Sequence, residues 1–258
     1  MNPRVAVVLV THDSLDFLPQ TLQSIAEQTQ QADTYIAIDD LSTDATVELL
    51  RSSAFAVYRA TSPGPDLVTR IAHNFHQGLR IAEQKSADIV LLGDHDDIWH
   101  RDRIAHQVAM LEANPQAAML ASDGFLIDEH GAALPGTIRG SFPIPGDFAS
   151  WPRHRQVAYA LRHSLATGGA CAVRISCLDR WDVPPGWLHD RWWSLRALSA
   201  DRLVIDATAV IDYRVFADQQ VGLDNASQDS RSRWWWGKVR QAPASGRKAR
   251  DVASLLRG

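Results

Sequence analysis

The chain alternates short, dense apolar runs with longer stretches in which apolar residues recur every three or four positions. "VAVVLVTH" from Val5 is apolar on both faces of an extended chain and too short for a helix, the pattern of a strand covered on both sides. "FLPQTLQSIAEQT" follows with Leu18, Leu22 and Ile25 at helical spacing. The alternation repeats: "DTYIAIDD" predicts a strand, and "STDATVELLRS" a helix with Ser42 as its N-cap. "FAVYRA" predicts a third strand, a helix is expected from about Val68 to Gln84, and "ADIVLLGD" predicts a fourth strand. "RDRIAHQVAMLEANP" is helical up to the region of Pro115.

After residue 117 the rhythm breaks. "AAMLASDGFLID" reads as a strand leading into a turn, and residues 131 to 150, rich in Gly and Pro, as a loop. "RQVAYALRHS" predicts a short helix, "GGACAVRI" a strand, "DRWWSLRALSA" a helix, and "RLVIDA" and "AVIDYRVF" two more strands. The first half therefore predicts an α/β fold with a parallel sheet covered on both sides. Ligands of such folds bind beyond the carboxyl ends of the strands. Three of those ends are polar or acidic here: Thr11-His12, Asp39-Asp40, and Asp94 through Asp97.

Composition narrows the class. An apolar fraction of 45% and a charged fraction of 22% are those of an ordinary globular protein, and no apolar run reaches the length of a membrane span. The N-terminus lacks a signal-peptide pattern, and only Cys171 and Cys177 are present, so a reducing cytoplasm is expected, with both cysteines as core thiols. The net charge of −4 hides an asymmetry: residues 231 to 258 carry eight Lys or Arg against Asp251 alone, leaving 18 basic and 29 acidic residues before them. The tail also holds Trp234, Trp235 and Trp236. Such a segment suits an anionic membrane surface, where indole rings and cations both find partners; packing of the rings on the domain or a second subunit is the plainer alternative. An acidic body makes nucleic acid an unlikely partner.

The candidate chemistry centres on "IVLLGDHDDIWH", residues 89 to 100. Three carboxylates within four positions repel one another, so a cation is expected among them; Mg2+ or Mn2+ fits oxygen donors and leaves room for water and phosphate. The plainer reading is an acidic loop in which Asp97 caps the next helix. "IDDLSTDAT" pairs Asp39 with Asp40, one acid more than a cap needs. No G-x-G-x-x-G follows the first strand and no GxxxxGK occurs, which weighs against a dinucleotide oxidoreductase and a P-loop NTPase. The dispersed His and Asp motifs of a metallophosphoesterase are not found.

Taken in order, "VAVVLVTH…LPQTLQSIAEQT", "IDDLSTDAT", "GDHDDIWHRDRI", and "TGGACAV" followed by "HDRWW" resemble the family 2 glycosyltransferases, in particular their rhamnosyltransferase-like branch. The resemblance spans roughly residues 3 to 222. It implies a GT-A fold: a Rossmann-like, mostly parallel sheet flanked by helices in a nucleotide-binding half (about 1–123), a mixed acceptor half (124–223), and a separate tail (224–258). It implies an inverting, metal-dependent transfer of a sugar, rhamnose being one candidate, from a dTDP-, UDP- or GDP-sugar to a glycan or lipid-linked acceptor at the inner face of the cytoplasmic membrane. Carried over residue by residue, Thr11, His12, Asp40, Asn74 and Asp94 would hold the nucleotide and Asp94 and Asp96 the Mn2+ or Mg2+. Asp190 would be the base, with Trp99, Thr167, Gly168, His189 and Trp192 around the acceptor or donor sugar.

Two departures stand out. Where the family commonly has a metal-site histidine after the last core strand, "YRVFADQQVG" places Phe216, which cannot ligate a metal, with Asp218 a possible substitute. His95 replaces the usual glutamine, and an exposed loop histidine is its simplest role. An alternative therefore stands beside the enzyme: a GT-A-like domain that binds nucleotide sugar without turnover, or a membrane-associated scaffold.

Overall fold

The computed structural model describes residues 2–61, 64, 66–177, 182–216 and 251. The elements follow in the order β1 (Val5–Thr11), α1 (Leu18–Ala26), β2 (Thr34–Asp39), α2 (Thr46–Arg51), β3 (Ala56–Arg59), α3 (Leu67–Gln84), β4 (Ile89–Asp94), β5 (Ile98–Trp99) and α4 (Arg103–Ala113). The second half adds β6 (Met119–Ile127), β7 (Ala133–Thr137), α5 (Ile138–Ser141), α6 (Arg153–Ala160), β8 (Cys171–Arg174), α7 (His189–Ser199) and β9 (Leu203–Arg214).

The unbroken apolar run of β1 has a direct cause: every one of its residues is buried, because the strand lies inside the sheet with helices on both faces. Ala6, Val8 and Val10 point to one core, shared with Phe75 and Leu79 of α3 and Trp193 of α7. Val5, Val7 and Leu9 point to the other, shared with Leu18, Ile25, Ile104 and Leu111 of α1 and α4. Successive side chains of a strand face opposite ways, so one sequence run serves two cores.

Strand order is β3-β2-β1-β4-β8-β6-β9-β5, with β7 paired to β6. The β3-β2-β1-β4 part is parallel. β8 then inserts antiparallel to both β4 and β6, while β6 and β9 run parallel. A parallel half thus continues into a mixed half within one sheet, as expected for a GT-A fold.

Several local expectations need correction. Ser42 does not cap α2; the cap position is Ala45, and Ser42 Oγ instead accepts from the Asp13 amide at 3.0 Å. Asp97 does not cap α4, whose N-cap is Asp102. Residues 131–150 are not simply loop: they contain β7 and α5, the latter capped by Thr137 Oγ1 accepting from Gly140 N at 3.0 Å. The two strands expected near the end are one, β9, because Ala207–Ala209 continue the extended chain alongside β6 with irregular register. The two-residue β5 is too short to read from a pattern. Cys171 is buried, whereas Cys177 is half-buried at the edge of the same core.

α3 approaches β1 closely because residue 78 has no side chain: a Cβ there would lie 2.3 Å from Val8 Cγ1. Overpacking a core costs typically about 1–3 kcal/mol, against ~1 kcal/mol gained by alanine over glycine in a helix. Gly78→Ala is therefore expected to lower the urea midpoint, with a net loss of up to about 2 kcal/mol; a raised midpoint would contradict this packing.

Candidate functional site

The carboxyl ends of β1, β2 and β4 lie side by side, so Thr11 pairs with Asp39 and Val10 with Asp94 in register. The loops beyond them are held tightly. Asp13 and Leu41 both adopt positive φ (41° and 60°), a costly conformation for residues with a Cβ. Asp13 Oδ1 accepts from Thr43 N at 2.7 Å, binding the first loop to the second. His12 Nδ1 lies 2.7 Å from the Asp40 carbonyl, and Arg70 Nε of α3 meets Asp40 Oδ2 at 2.7 Å.

Several polar atoms here are buried without a protein partner. They include Thr11 Oγ1, Asp39 Oδ1, Asp40 Oδ1, both amide atoms of Asn74, and Asp97 Oδ2. Native interiors leave few such atoms, and each needs a reason. Thr11, Asp39 and Asp40 stand at adjoining strand ends, where unpartnered polar atoms suit a polar ligand.

β4 ends at Asp94, and a turn carries Asp96 and Asp97 before β5. Gly93 lets this turn fold back: a Cβ there would stand 2.9 Å from the Trp99 ring. Trp99 is itself buried, with the Arg103 guanidinium 3.6 Å from its ring centroid. Arg103, 1% exposed, donates to the Leu92 carbonyl at 2.6 Å and faces Asp97 and Asp94 electrostatically. Burial pushes its pKa down to about 9, which leaves it charged at neutral pH. Arg214, at the end of β9, holds the turn from the other side: its amide donates to Asp97 Oδ1 at 3.2 Å and its Nε to the Asp96 carbonyl at 2.9 Å.

The other wall is the Gly168-Gly169 turn before β8. A Cβ on Gly169 would fall 2.4 Å from Asp97 Oδ2 and 2.8 Å from Asp94 Oδ2; one on Gly168 would fall 2.6 Å from His189 Nε2. Gly168 N donates to Asp190 Oδ2 at 3.1 Å. The chain thus brings Asp94, Asp96, Asp97, His189 and Asp190 around one backbone turn. Thr167 directly precedes it, its carbonyl accepting from Cys171 Sγ at 3.0 Å. His189 stacks on Phe75 with centroids 3.9 Å apart, and neither ring nitrogen has a protein partner. Trp192 is buried, its ring centroid 5.4 Å from that of Trp187. His95 offers its backbone carbonyl to Thr21 Oγ1 at 2.9 Å.

Electrostatics follow from burial. Asp94 is raised to about 7 by desolvation and by the charges of Asp96 and Asp190. Asp97 is raised well above the usual carboxylate range by the same causes, with Asp96 and Asp94 as neighbours. Desolvation raises Asp190 to about 6, and lowers His189 to about 3, so that imidazole is neutral at physiological pH. The Phe216 ring packs 5.1 Å from that of Phe17, whose centroid lies 4.8 Å from the Arg214 guanidinium. Asp218 and the tail from residue 224, Asp251 excepted, lie outside the described residues. No cluster of three or more His, Cys, Asp or Glu arranged to enclose a metal is present among the described residues.

Sequence reasoning missed Arg70, Arg103, Gly169 and Arg214. Arg103 sits where a helix start normally faces water, and nothing in "HRDRI" marks which arginine turns inward.

An α/β sheet with acidic turns at its strand ends, closed by a Gly-Gly turn against a further carboxylate, defines a nucleotide-sugar-transferase-like fold. Residues 6–174 match the model of glycosyl transferase family 2, and the chain belongs to that family. It is 23% identical over 187 residues to the "Putative teichuronic acid biosynthesis glycosyltransferase TuaG" of Bacillus subtilis, covering 64% of this chain and 71% of that one. TarS residues 1–349 of S. aureus, crystallised with UDP, superpose with a TM-score of 0.58 at 16% identity over 82% of this chain. The chain spans only 60% of that TarS structure. Glucosyl-3-phosphoglycerate synthase of Mycobacterium tuberculosis, in complex with Mn2+, UDP and glucosyl-3-phosphoglycerate, gives 0.54 at 17% identity, covering 83% of this chain and 73% of that one. At such identities the structural likeness establishes the GT-A fold.

The raised carboxylates carry a pH dependence. A group whose folded pKa lies above its unfolded value binds more protons when folded, so stability falls as pH rises through the folded value. For Asp190 and Asp94, with unfolded values near 3.8 and folded values of about 6 and about 7, the window is pH 4 to 7. His189, lowered from 6.5 to about 3, works the other way across the same window. The expected signal is therefore a difference: without metal, Asp94→Asn gains Tm relative to wild type as pH rises from 4 to 7, and a gap that does not change with pH would contradict it. Gly169→Ala is expected to abolish nucleotide binding or folding, since its Cβ would enter both carboxylates.

Proposed function

We propose that this chain transfers a sugar from a nucleoside-diphosphate donor to a hydroxyl of a cell-envelope glycan or glycolipid, with inversion at the anomeric carbon. The observation that carries the proposal is the assembly of buried Asp96 and Asp97 with half-buried Asp94 and Asp190, joined by a turn that tolerates no side chain. The relatives named above act in envelope polymer synthesis or bind UDP, and this supports the donor and acceptor classes.

In this reading the nucleotide lies across the ends of β1 and β2. Asp40 Oδ1 accepts from a base or ribose donor, with Arg70 fixing its other oxygen and Thr11, His12 and Asn74 lining the site. The half up to about residue 123 serves the donor, and residues 124–223 the acceptor. Asp94 and Asp96 present a hard oxygen donor set beside an orphaned Asp97 oxygen, which fits Mn2+ or Mg2+ held by two carboxylates plus substrate phosphates. Bound there, such an ion would supply positive charge against a departing diphosphate. Asp190, raised to about 6 yet mostly ionised at neutral pH, takes the proton of the acceptor hydroxyl. Its Oδ2 is oriented by Gly168 N and its Oδ1 by the Arg191 amide at 2.6 Å. Trp99, Thr167, Gly168, His189 and Trp192 shape or support the sugar pocket, and the element around Asp94–Trp99 favours a rhamnosyl donor. The basic tail is assigned to the anionic inner face of the cytoplasmic membrane on composition alone.

A second reading rests on Phe216: with a phenyl ring packed on Phe17 where the family commonly has a histidine, the domain binds donor without turnover. Calorimetric titration of UDP, dTDP and GDP with and without Mn2+ separates the readings when combined with donor hydrolysis. The enzyme predicts Mn2+-dependent binding of one nucleotide, lost in Asp96→Ala, and turnover reduced 10²–10⁴-fold in Asp190→Asn with donor binding intact. Binding without hydrolysis or transfer supports the second reading; no binding of any nucleotide sinks both.

A further inference from the structure

Arg191 follows Asp190 directly in the first turn of α7, and both are half-buried. A cation in the first turn opposes the dipole of its own helix, so Arg191 needs another reason to be there. Its guanidinium turns to the end of α6, where Nη2 donates to the carbonyls of Leu161 at 3.1 Å and Ala160 at 3.5 Å. Those carbonyls close a helix, the end at which the backbone dipole favours a cation. The Arg191 amide meanwhile donates to Asp190 Oδ1 at 2.6 Å, while Gly168 N holds Oδ2 at 3.1 Å. Arg191 therefore grips Asp190 through its backbone and is itself fixed through its side chain.

The charges around Asp190 leave this arginine a distinct task. Desolvation raises the Asp190 carboxyl, and the Arg191 amide and guanidinium both act against that rise. Asp94 of β4 and Cys171 of β8 are themselves raised in part by the Asp190 charge, and neighbouring His189 is neutral. None of these three supplies positive charge. Arg103 and Arg139, which bear on Cys171, donate to the Leu92, Leu165 and Ala121 carbonyls. On α6, Arg153 is paired with Asp201 and Arg155 lies over the Trp151 ring.

We propose that Arg191 is a positioning residue for the transfer: anchored on the end of α6, it orients the Asp190 carboxylate and keeps it charged, ready to accept a proton. The role given to Asp190 rests on the glycosyltransferase reading; the coupling between the two residues does not.

The test is a double-mutant cycle on the full chain without metal. Tm is read from pH 5 to 8 for wild type, Arg191→Met, Arg191→Lys, Asp190→Asn and Arg191→Met/Asp190→Asn. At pH 5 Asp190 is mostly protonated, so the gap between wild type and Arg191→Met reports lost packing and carbonyl bonds. A group raised on folding loses stability as pH climbs through its folded value, and removing the guanidinium raises that value further. The gap is therefore expected to widen by about 2–4 °C between pH 5 and 8. Arg191→Lys is expected to restore the wild-type pH dependence, because an ammonium keeps the charge. In the Asp190→Asn background the gap is expected to stay constant. Hydrolysis of UDP-, dTDP- and GDP-sugars with Mn2+ gives the functional readout: the acid limb of the pH profile moves to higher pH in Arg191→Met and back in Arg191→Lys. A gap that ignores pH, one that widens equally in the Asp190→Asn background, or an unmoved acid limb overturns the proposal. If wild type hydrolyses no nucleotide sugar, the glycosyltransferase reading falls instead, and the Tm cycle still judges the coupling.

Discussion

The buried guanidinium of Arg103 is what allows the rest of the site to exist. Placing Asp94 and Asp97 at the end of a covered strand sets negative charges in a poorly solvated space, where repulsion is strong. Arg103 sits under them with its plane on Trp99 and a donor on the Leu92 carbonyl. It offsets charge without filling the ligand side of the turn. Even so, the acids remain raised, so one cation from the protein does not neutralise them all, and the site retains an affinity for positive charge from outside.

Geometry enforces this tension. Gly168 and Gly169 bring a backbone turn to within contact of the carboxylates, and the Gly168 amide fixes Asp190. Arg214 closes the assembly from the far end of the chain, reaching the Asp96 carbonyl, the Asp128 and Glu129 carbonyls at 3.2 and 3.0 Å, and Gln20 at 2.7 Å. One side chain therefore gathers the loops after β4 and β6 and the first helix. His189, neutral and stacked on Phe75 with both ring nitrogens free of protein hydrogen bonds, adds a hydrogen-bonding group to the site without adding charge.

Much of this was legible in the sequence, for identifiable reasons. Strands buried on both faces announce themselves by an unbroken apolar run, as in residues 5–10, which ends at the polar Thr11 where the site begins. Asp94 and Asp96 stood out because carboxylates crowded at the end of a strand repel, whereas Asp190 was marked only by the family resemblance, since an acid at a helix start is what the dipole favours. The missing parts are those whose meaning is set by distant partners. Arg103, Arg214 and Arg70 look like surface arginines until the fold brings Leu92, Asp96 and Asp40 to them. The Gly-Gly pair reads as an ordinary tight turn, since nothing local says that acids wait across the gap. Ser42 misled because its hydroxyl had a stronger claimant in the Asp13 amide, a contact between loops 29 residues apart.

The position of β8 has a consequence for how the molecule is made. It lies between β4 and β6 yet follows both in the chain. While the protein is being synthesised, β4 keeps an open edge, Ile89–Leu92, whose side chains are all apolar, until Cys171–Arg174 emerges to cover it. That edge is a template for pairing with any neighbouring strand. The same late strand brings the glycines of the site, so closing the sheet sets one wall of the chemistry in place before Asp190 and Arg214 emerge.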